Sequence, residues 1–514
     1  MQLNSYDKNN KKRNGDVFMK YDVVVVGAGN AALCAAISAK ENGASVLVLE
    51  KGPIEKRGGN SYFTDGAIRT AYNTLDNIQK VVSLTDEDIA LIDMPMYTAD
   101  DFYADILTVS KQQSNPALVR NLVDHSFETI EWLHEQGVEF ELNYDNQSFK
   151  VDDKIQFWGG LPVKTVEKGI GLMRSLFTRA EQLGIEVWYE AAATKIQTVD
   201  DKVSAIEIQQ KEKTIEISCN AVVLACGSFE ASKKARQKFI GEEWLDAIVR
   251  GTEFNTGDGI EMALQVGATR AGQLNGCHAI GTDANVPKVG DFKKPGDIYK
   301  KHSYPYSIML NTDGQRFVDE GADFRNYTYA KYGKEILKQP NNIAYQIFDA
   351  KVRPILRKEY DLEEATVYEA ATLEELANQL NVDKEAFLAT IQAYNEDVND
   401  KPFDPSVKDG KAARTSTPPK SNWAQKIDEG PFYAYPVTCG ITFSFSGVKA
   451  NTKAEVLSEQ GEAIEGLFAA GEMIGEIFYE NYPGGSGLMS GAVYGKIAGE
   501  NAAKYVQVAV KLNS

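Results

Sequence analysis

The chain has 514 residues, enough for two or three domains with substantial cores. It is 43% hydrophobic and 25% charged, an ordinary globular composition, and its net charge of −18 argues against nucleic acid or an anionic membrane as a partner. The five cysteines, Cys34, Cys219, Cys226, Cys277 and Cys439, form no CxxC pair, which argues against an iron–sulfur cluster, a redox dithiol or a c-type haem and fits a reducing cytoplasm.

Residues 1–18 are polar and rich in Lys and Asn, and read as a disordered leader rather than a signal peptide. No segment approaches the length of a membrane span. Tyr21 to Glu50 follows as YDVVVVGAGNAALCAAISAKENGASVLVLE. The apolar run Val23 to Val26 predicts a strand buried on both faces. Gly27-Ala28-Gly29 predicts a tight turn, and Asn30, Ala31 and Ala32 open an alanine-rich helix. A second strand over 45–49 ends at Glu50. Strand, glycine turn, helix, strand and acid in this order predict a dinucleotide site. The glycines let the backbone approach a pyrophosphate, the helix N-terminus supplies N–H groups and a positive dipole end, and Glu50 accepts the ribose hydroxyls.

A glycine-rich loop, Lys56-Arg57-Gly58-Gly59-Asn60-Ser61, comes next. Helical spacing runs through 86–137 and again over 169–184. Strands are predicted from VWYEAAATKIQTV, from VSAIEIQQ after a turn at Asp200-Asp201, and from TIEIS, giving a β-meander. AVVLACG, 221–227, reads as a further buried strand. Thr372-Leu373-Glu374-Glu375 is a capping box for a short helix, and a second helix is expected over 383–398. Pro402, Pro405, Pro418 and Pro419 mark a loop-rich exit, after which strands and glycine turns lead to a last helix over about 487–508. The predicted class is α/β. A discontinuous Rossmann-like dinucleotide domain, 19–267 and 426–514, carries an inserted α+β cap at 268–425.

Only one such glycine turn follows a strand. LACGSFE (224–230), GDGIEMA (257–263), LNTDGQRFVDE (310–320) and GLFAAGE (466–472) complete a set that resembles the flavoproteins of the fumarate reductase/succinate dehydrogenase family. The resemblance covers nearly the whole chain from residue 20. It implies FAD, with Glu50 on the adenosine ribose, Glu472 near the ribityl chain, and Gly487 and Leu488 at a helix N-terminus facing the flavin pyrimidine edge. Lys51, Gly58, Gly59, Asn60, Ser61, Ala225, Gly227, Asp258 and Gly471 belong to the same expected cofactor set, with Gly27, Gly29, Asn30 and Ala31. Covalently flavinylated members carry a histidine soon after the first glycine-rich loop. Here Asn60-Ser61-Tyr62-Phe63-Thr64 has none, so FAD is expected to be held non-covalently.

Two features depart from fumarate reductases. Thr442-Phe443-Ser444 stands where they carry a histidine pair, and Tyr482, in NYPGG, stands where they carry a substrate-clamping arginine. GGNS, CGITFSFSG, RFVDEGADFRNYTYA and NYPGGSGL together look most like the tricarballylate dehydrogenase branch, and YPGG also resembles the tyrosine motif of 3-ketosteroid dehydrogenases. The resemblance implies oxidation or reduction of a CH–CH bond beside a carboxylate or carbonyl, with hydride moving to or from flavin N5. Arg325 is near the family's proton-shuttling arginine, one residue out of register, and reads as the proton-transfer group or as a cap salt bridge. Tyr327 and Tyr329 are alternative acids or bases. Tyr482 reads as a hydrogen-bond donor to the activating oxygen or as packing under the flavin. His278 aligns with a cap histidine that touches substrate carboxylate, the alternative being a structural histidine. Arg69 reads as an anion contact or a surface residue, and Arg316 as an ion pair within its own turn. His302 carries no assignment, and His125 and His134 read as helix-surface residues. The leading expectation is a soluble, cytoplasmic FAD-dependent dehydrogenase or reductase of a tricarballylate-like carboxylate. A quinone, an iron–sulfur protein or another flavoprotein would be its external electron partner. A 3-ketosteroid-type Δ1-dehydrogenase and a non-catalytic flavin-binding redox partner are the rivals.

Overall fold

β1 (Lys20–Val26) lies at the centre of an eight-stranded sheet in the computed structural model, which describes residues 20–512. The leader expected at 1–18 lies outside the described residues. Val23, Val24 and Val25 are fully buried, as a strand covered on both faces requires. β1 pairs in parallel with β2 (Val46–Leu49), Val25 opposite Val48, and on its other side with Lys213–Leu224, Val25 opposite Val223. Glu186–Trp188 and Ala463–Ala469 extend the parallel set at either side. Helix α1 (Asn30–Glu41) packs against the last helix, Ser486–Leu512, so closely that a Cβ on Gly495 would meet the Ala31 carbonyl oxygen at 2.5 Å. That approach explains why α1 is rich in alanine and the last helix in alanine and glycine.

The meander is present, with Asp200 and Asp201 at φ 50° and 60° in the turn that joins Ala191–Val199 to Lys202–Gln210. One expectation changes. TIEIS and AVVLACG are not two strands but one, Lys213–Leu224. Its first half pairs antiparallel with Lys202–Gln210 and its second half parallel with β1. Cys219-Asn220 between them contains neither glycine nor proline, and nothing there breaks the extended backbone.

A six-stranded sheet is organised on the 17-residue strand Phe432–Val448, which pairs antiparallel with Arg270–Asp283 and with Ala344–Phe348. A separate apolar core that includes Ile308, Ile347, Leu376, Phe387 and Ile391 lies on this side of the molecule. The helix Leu373–Gln379 starts at the Thr372 capping box, and Lys384–Asp397 starts at Asp383. The strands Arg270–Asp283 and Phe432–Val448 each have one end in this region and carry cleft residues, His278 and Thr442, along their length.

Candidate active site

A cleft with about 1,920 Å³ of space between protein atoms, its solvent-open mouth included, starts at the ends of β1 and β2 and runs to the six-stranded sheet. At its first end Glu50 closes β2. Its Oε1 accepts a 2.7 Å hydrogen bond from the Gly52 N–H, and burial pushes its carboxyl up to about 7. Lys51 Nζ donates to Thr256 and Asp258, each at 2.6 Å, and holds the rim beside it. Ala225, Cys226 and Gly227 form the opposite wall.

The two glycines of the first turn do different work. Gly27 has φ +106°, and a Cβ there would meet the Ala225 carbonyl oxygen at 2.4 Å, so this residue serves the close packing of two strands. Gly29 caps α1 without a side-chain hydrogen bond, and a Cβ there would make only ordinary contacts of 3.5 Å inside the protein. Its free side faces the cleft. The Gly58-Gly59-Asn60-Ser61 loop folds over it: the Asn30 N–H donates to Ser61 Oγ at 3.0 Å, and Asn30 Nδ2 donates to the Leu488 carbonyl at 2.9 Å. Asn30 therefore ties α1 to the last helix, and Ala31 lies under Gly471, where a Cβ would meet it at 2.9 Å.

Midway along, Asn60 is a hub. Its Nδ2 donates to Glu230 (2.8 Å), to the Thr442 carbonyl (2.9 Å) and to Glu472 (3.4 Å), and its Oδ1 accepts from the Thr252 N–H. Glu230 is buried, the Glu472 carboxyl is buried, and Oε2 of each lacks a hydrogen-bond partner among the described residues. Burial and mutual repulsion push Glu472 well above the usual carboxylate range, and burial pushes Glu230 up to about 7. Ser486 Oγ is also buried without a partner, at the N-terminus of the last helix beside Gly485 and Gly487. The start of α1, the start of the last helix and the Glu472 carboxyl line one cleft and match the needs of a phosphate and a hydroxylated chain.

The far end is aromatic and cationic. His278 Nδ1 shares a 2.7 Å hydrogen bond with Thr442 Oγ1; its ring stacks on Phe443 at 5.5 Å and meets Tyr482 edge-on at 4.7 Å. Burial and the Arg250 charge hold His278 well below its ordinary pKa, so it is neutral. Arg250 bridges Thr442 and Asp297, and Lys300 pairs with Asp65 at 2.7 Å. Arg325 differs from these two cations: no carboxylate pairs with it among the described residues, and its guanidinium carbon lies 5.5 Å from the centre of the Tyr329 ring. Burial and the neighbouring Arg357 lower its guanidinium to about 10. The Tyr329 and Tyr482 hydroxyls interact, which raises the first and eases ionisation of the second, although burial keeps both above the ordinary value.

A model of the FAD binding domain matches residues 22–488. The chain belongs to this FAD-binding family. FAD is thus its cofactor, and the cradle described above fits it. NADH:fumarate oxidoreductase of Klebsiella pneumoniae is 30% identical over 499 residues, covering 94% of this chain and 48% of that protein. The chain thus spans about half the length of that relative. Vinyl phenol reductase of Lactiplantibacillus plantarum is 28% identical over 526 residues, with 94% and 97% covered. The open conformation of a flavocytochrome c3 fumarate reductase superimposes with a TM-score of 0.71 at 27% identity, over 95% of this chain and 79% of that one. The α/β architecture is that of an FAD-binding domain with a capping domain.

Within this FAD-binding frame the sequence expectations separate. Gly27, Gly29, Asn30, Ala31, Glu50, Lys51, Gly59, Asn60, Ser61, Ala225, Gly227, Asp258, Gly471, Glu472, Gly487 and Leu488 all line the cleft, as do His278, Arg325, Tyr329 and Tyr482. Gly58 does not; at φ +106° it turns the loop against Tyr62 and Met173. Tyr327 also points elsewhere, its hydroxyl donating to Asp105 at 3.2 Å. Arg325 opens a short 3-10 turn that ends at Tyr327, and Tyr329 opens the helix that follows, Tyr329–Leu337; the fold brings Arg325 and Tyr329 to the cleft and turns Tyr327 away. Arg69 is neither at the surface nor in the cleft. It is 1% exposed, donates from Nε to the Gly484 carbonyl at 2.9 Å and pairs with Asp105, and so fixes the NYPGG loop from behind. Arg316 pairs with Glu320 inside its own turn, as expected. Arg250, Asp297, Lys300, Asp65, Thr442, His302 and Glu230 were not singled out as site residues. For Glu230 its place in the LACGSFE turn was a usable signal; Asp297 and Lys300 come from a loop without any.

Residues 60–64 offer no histidine to the cofactor, and acid precipitation is expected to leave FAD in the supernatant. A yellow protein pellet would contradict non-covalent binding.

Proposed function

We propose that this protein is an FAD-dependent oxidoreductase that reduces or forms the carbon–carbon double bond next to the carboxylate of a small acid. The observation that carries this reading is Arg325, a cleft-lining cation without a carboxylate partner among the described residues, set among Tyr329, Tyr482 and His278. FAD, when bound, supplies or takes up the hydride. Arg325 holds the proton for the carbon beside the carboxylate, and its lowered affinity for that proton makes the transfer accessible. Tyr482 donates a hydrogen bond to a carboxylate oxygen, and the rings of Phe443, His278 and Tyr329 exclude water from the reacting carbons. His278, neutral and fixed by Thr442, orients the substrate without adding charge.

Arg250 is balanced by Asp297, while Lys300 shares Asp65 with Lys168, so Arg325 is the cleft-lining guanidinium that no carboxylate pairs among the described residues. One such cation favours a substrate with one carboxylate over the three of a tricarballylate-like acid. It also disfavours a ketosteroid, whose pocket would be apolar throughout. Electrons enter or leave through an external carrier, a quinone, an iron–sulfur protein or a flavoprotein. The cytoplasm is the proposed compartment, supported by five unpaired cysteines. No helix among the described residues is long and apolar enough to cross a membrane.

The pH dependence reports the direction of catalysis. Because the Arg325 pKa is lowered to about 10, its protonated form is present at neutral pH and is lost as pH rises through about 10. Double-bond reduction, which needs the protonated form, should hold its rate through neutral pH and fall across that range, and oxidation should rise across it. A rate profile flat through pH 10 in both directions would remove Arg325 from proton transfer. Tyr482→Phe should cost about 1–3 kcal/mol in transition-state binding, read as kcat/KM at unchanged flavin content.

A further inference from the structure

A second cavity, with about 590 Å³ of space between protein atoms, its solvent-open mouth included, meets the main cleft at His302, Arg325 and Asn326. Nothing in the mechanism above uses it, since a three- or four-carbon acid needs only the main cleft. Its walls are largely aromatic, with Arg357 and Ser148 among the other lining residues. Trp158 and Phe324 lie 5.8 Å apart between ring centres, Phe324 and Trp423 5.4 Å, and Tyr306 completes the lining with Pro305 and Pro405. The Trp423 ring is fixed in place, its Nε1 donating to the carbonyls of Val407 at 2.8 Å and Asp404 at 3.0 Å. Asp145, at the edge, is neutralised by Lys358 at 2.7 Å and by Lys164 at 3.6 Å.

We propose that this cavity is an aryl subsite and that the substrate is a 3-aryl-substituted enoate or its saturated counterpart. The acid group lies in the main cleft and the ring lies beyond Arg325. The inference rests on the enoate reading given above and names its substrate class. Fixed aromatic faces bind a planar ring by stacking and by burial of apolar surface. The chemistry balances: Ar–CH=CH–COO⁻ takes a hydride at the aryl-bearing carbon and a proton from Arg325 at the carbon beside the carboxylate, giving Ar–CH₂–CH₂–COO⁻. The π bond is lost, two C–H bonds form, and both electrons come with the hydride. Arg325, at the junction of the two cavities, stands beside the carbon that needs the proton.

Binding to the oxidised holoenzyme tests the subsite without turnover. Propanoate and 3-phenylpropanoate are titrated while the flavin absorbance is followed. The phenyl compound is expected to bind about tenfold tighter or more. Tyr306→Ala, which removes a wall, and Ser148→Trp, which fills the space, should each bring that ratio toward one at full FAD content. Equal binding of the two acids by the native enzyme would overturn the proposal. So would a preference that survives both substitutions, because the ring would then sit elsewhere and the cavity would hold only water. Reduced holoenzyme mixed with 3-phenylacrylate separates the two readings. If the binding preference holds but no enoate reoxidises the flavin, the subsite stands and the proposed reaction falls.

Discussion

Arg325→Gln is expected to lower turnover by about 10²–10⁴-fold while FAD stays bound, the range a positioned general acid contributes. The residue lies at the opposite end of the cleft from Glu50 and Gly29, so cofactor binding does not depend on it. Glutamine keeps hydrogen-bonding capacity and much of the bulk but has no proton to give. Arg325→Lys is the sharper variant. It retains a charge, yet a lysine in this buried place beside Arg357 has a lower proton affinity and a shorter, single-headed donor. Turnover should collapse in both, with flavin content and melting temperature near those of the native protein. Near-normal turnover in Arg325→Lys would move proton transfer to Tyr329 or Tyr482. Tyr327 would not inherit the role, since its hydroxyl is directed at Asp105.

The second large effect separates two glycines only two residues apart. Gly29→Val should give a folded protein that no longer binds FAD. The new Cβ meets nothing closer than 3.5 Å within the protein, and the side chain projects into the cleft where the pyrophosphate approaches. Gly27→Ala should instead damage the protein itself. Its Cβ would lie 2.4 Å from the Ala225 oxygen and 2.8 Å from the Cys226 Cα, at a φ of +106° that alanine does not tolerate. Circular dichroism and thermal melting of the apoproteins, beside flavin content, distinguish the outcomes. A Gly29→Val protein with stoichiometric FAD would show that the nucleotide does not lie against the start of α1.

Residues 20–50 were readable because their information is local. Four valines, two glycines, an alanine-rich helix and an acid each report a nearby backbone requirement, and the tertiary structure assembles them in that order. The catalytic end was only partly readable, because its chemistry comes from distant segments. Arg250 reaches Thr442 across 192 positions, and Lys300 reaches Asp65 across 235. Tyr327 is separated from Arg325 and Tyr329 only by the fold, because a short 3-10 turn ends at Tyr327 and a new helix starts at Tyr329. Arg69 could not have been placed: a lone arginine after a glycine loop looks the same in sequence whether it meets an anion, water or a backbone carbonyl. The merged strand Lys213–Leu224 shows a related limit, since a strand that changes partners midway carries no break in its own pattern.

Anaerobic titration of the reduced holoenzyme with a series of enoates tests the central claim most directly. Stepwise return of the oxidised flavin absorbance, one flavin per molecule of enoate consumed, is the predicted result. A reduced flavin unchanged by every enoate, together with an oxidised flavin that no saturated acid bleaches, would contradict it and leave a flavin-binding protein without this chemistry.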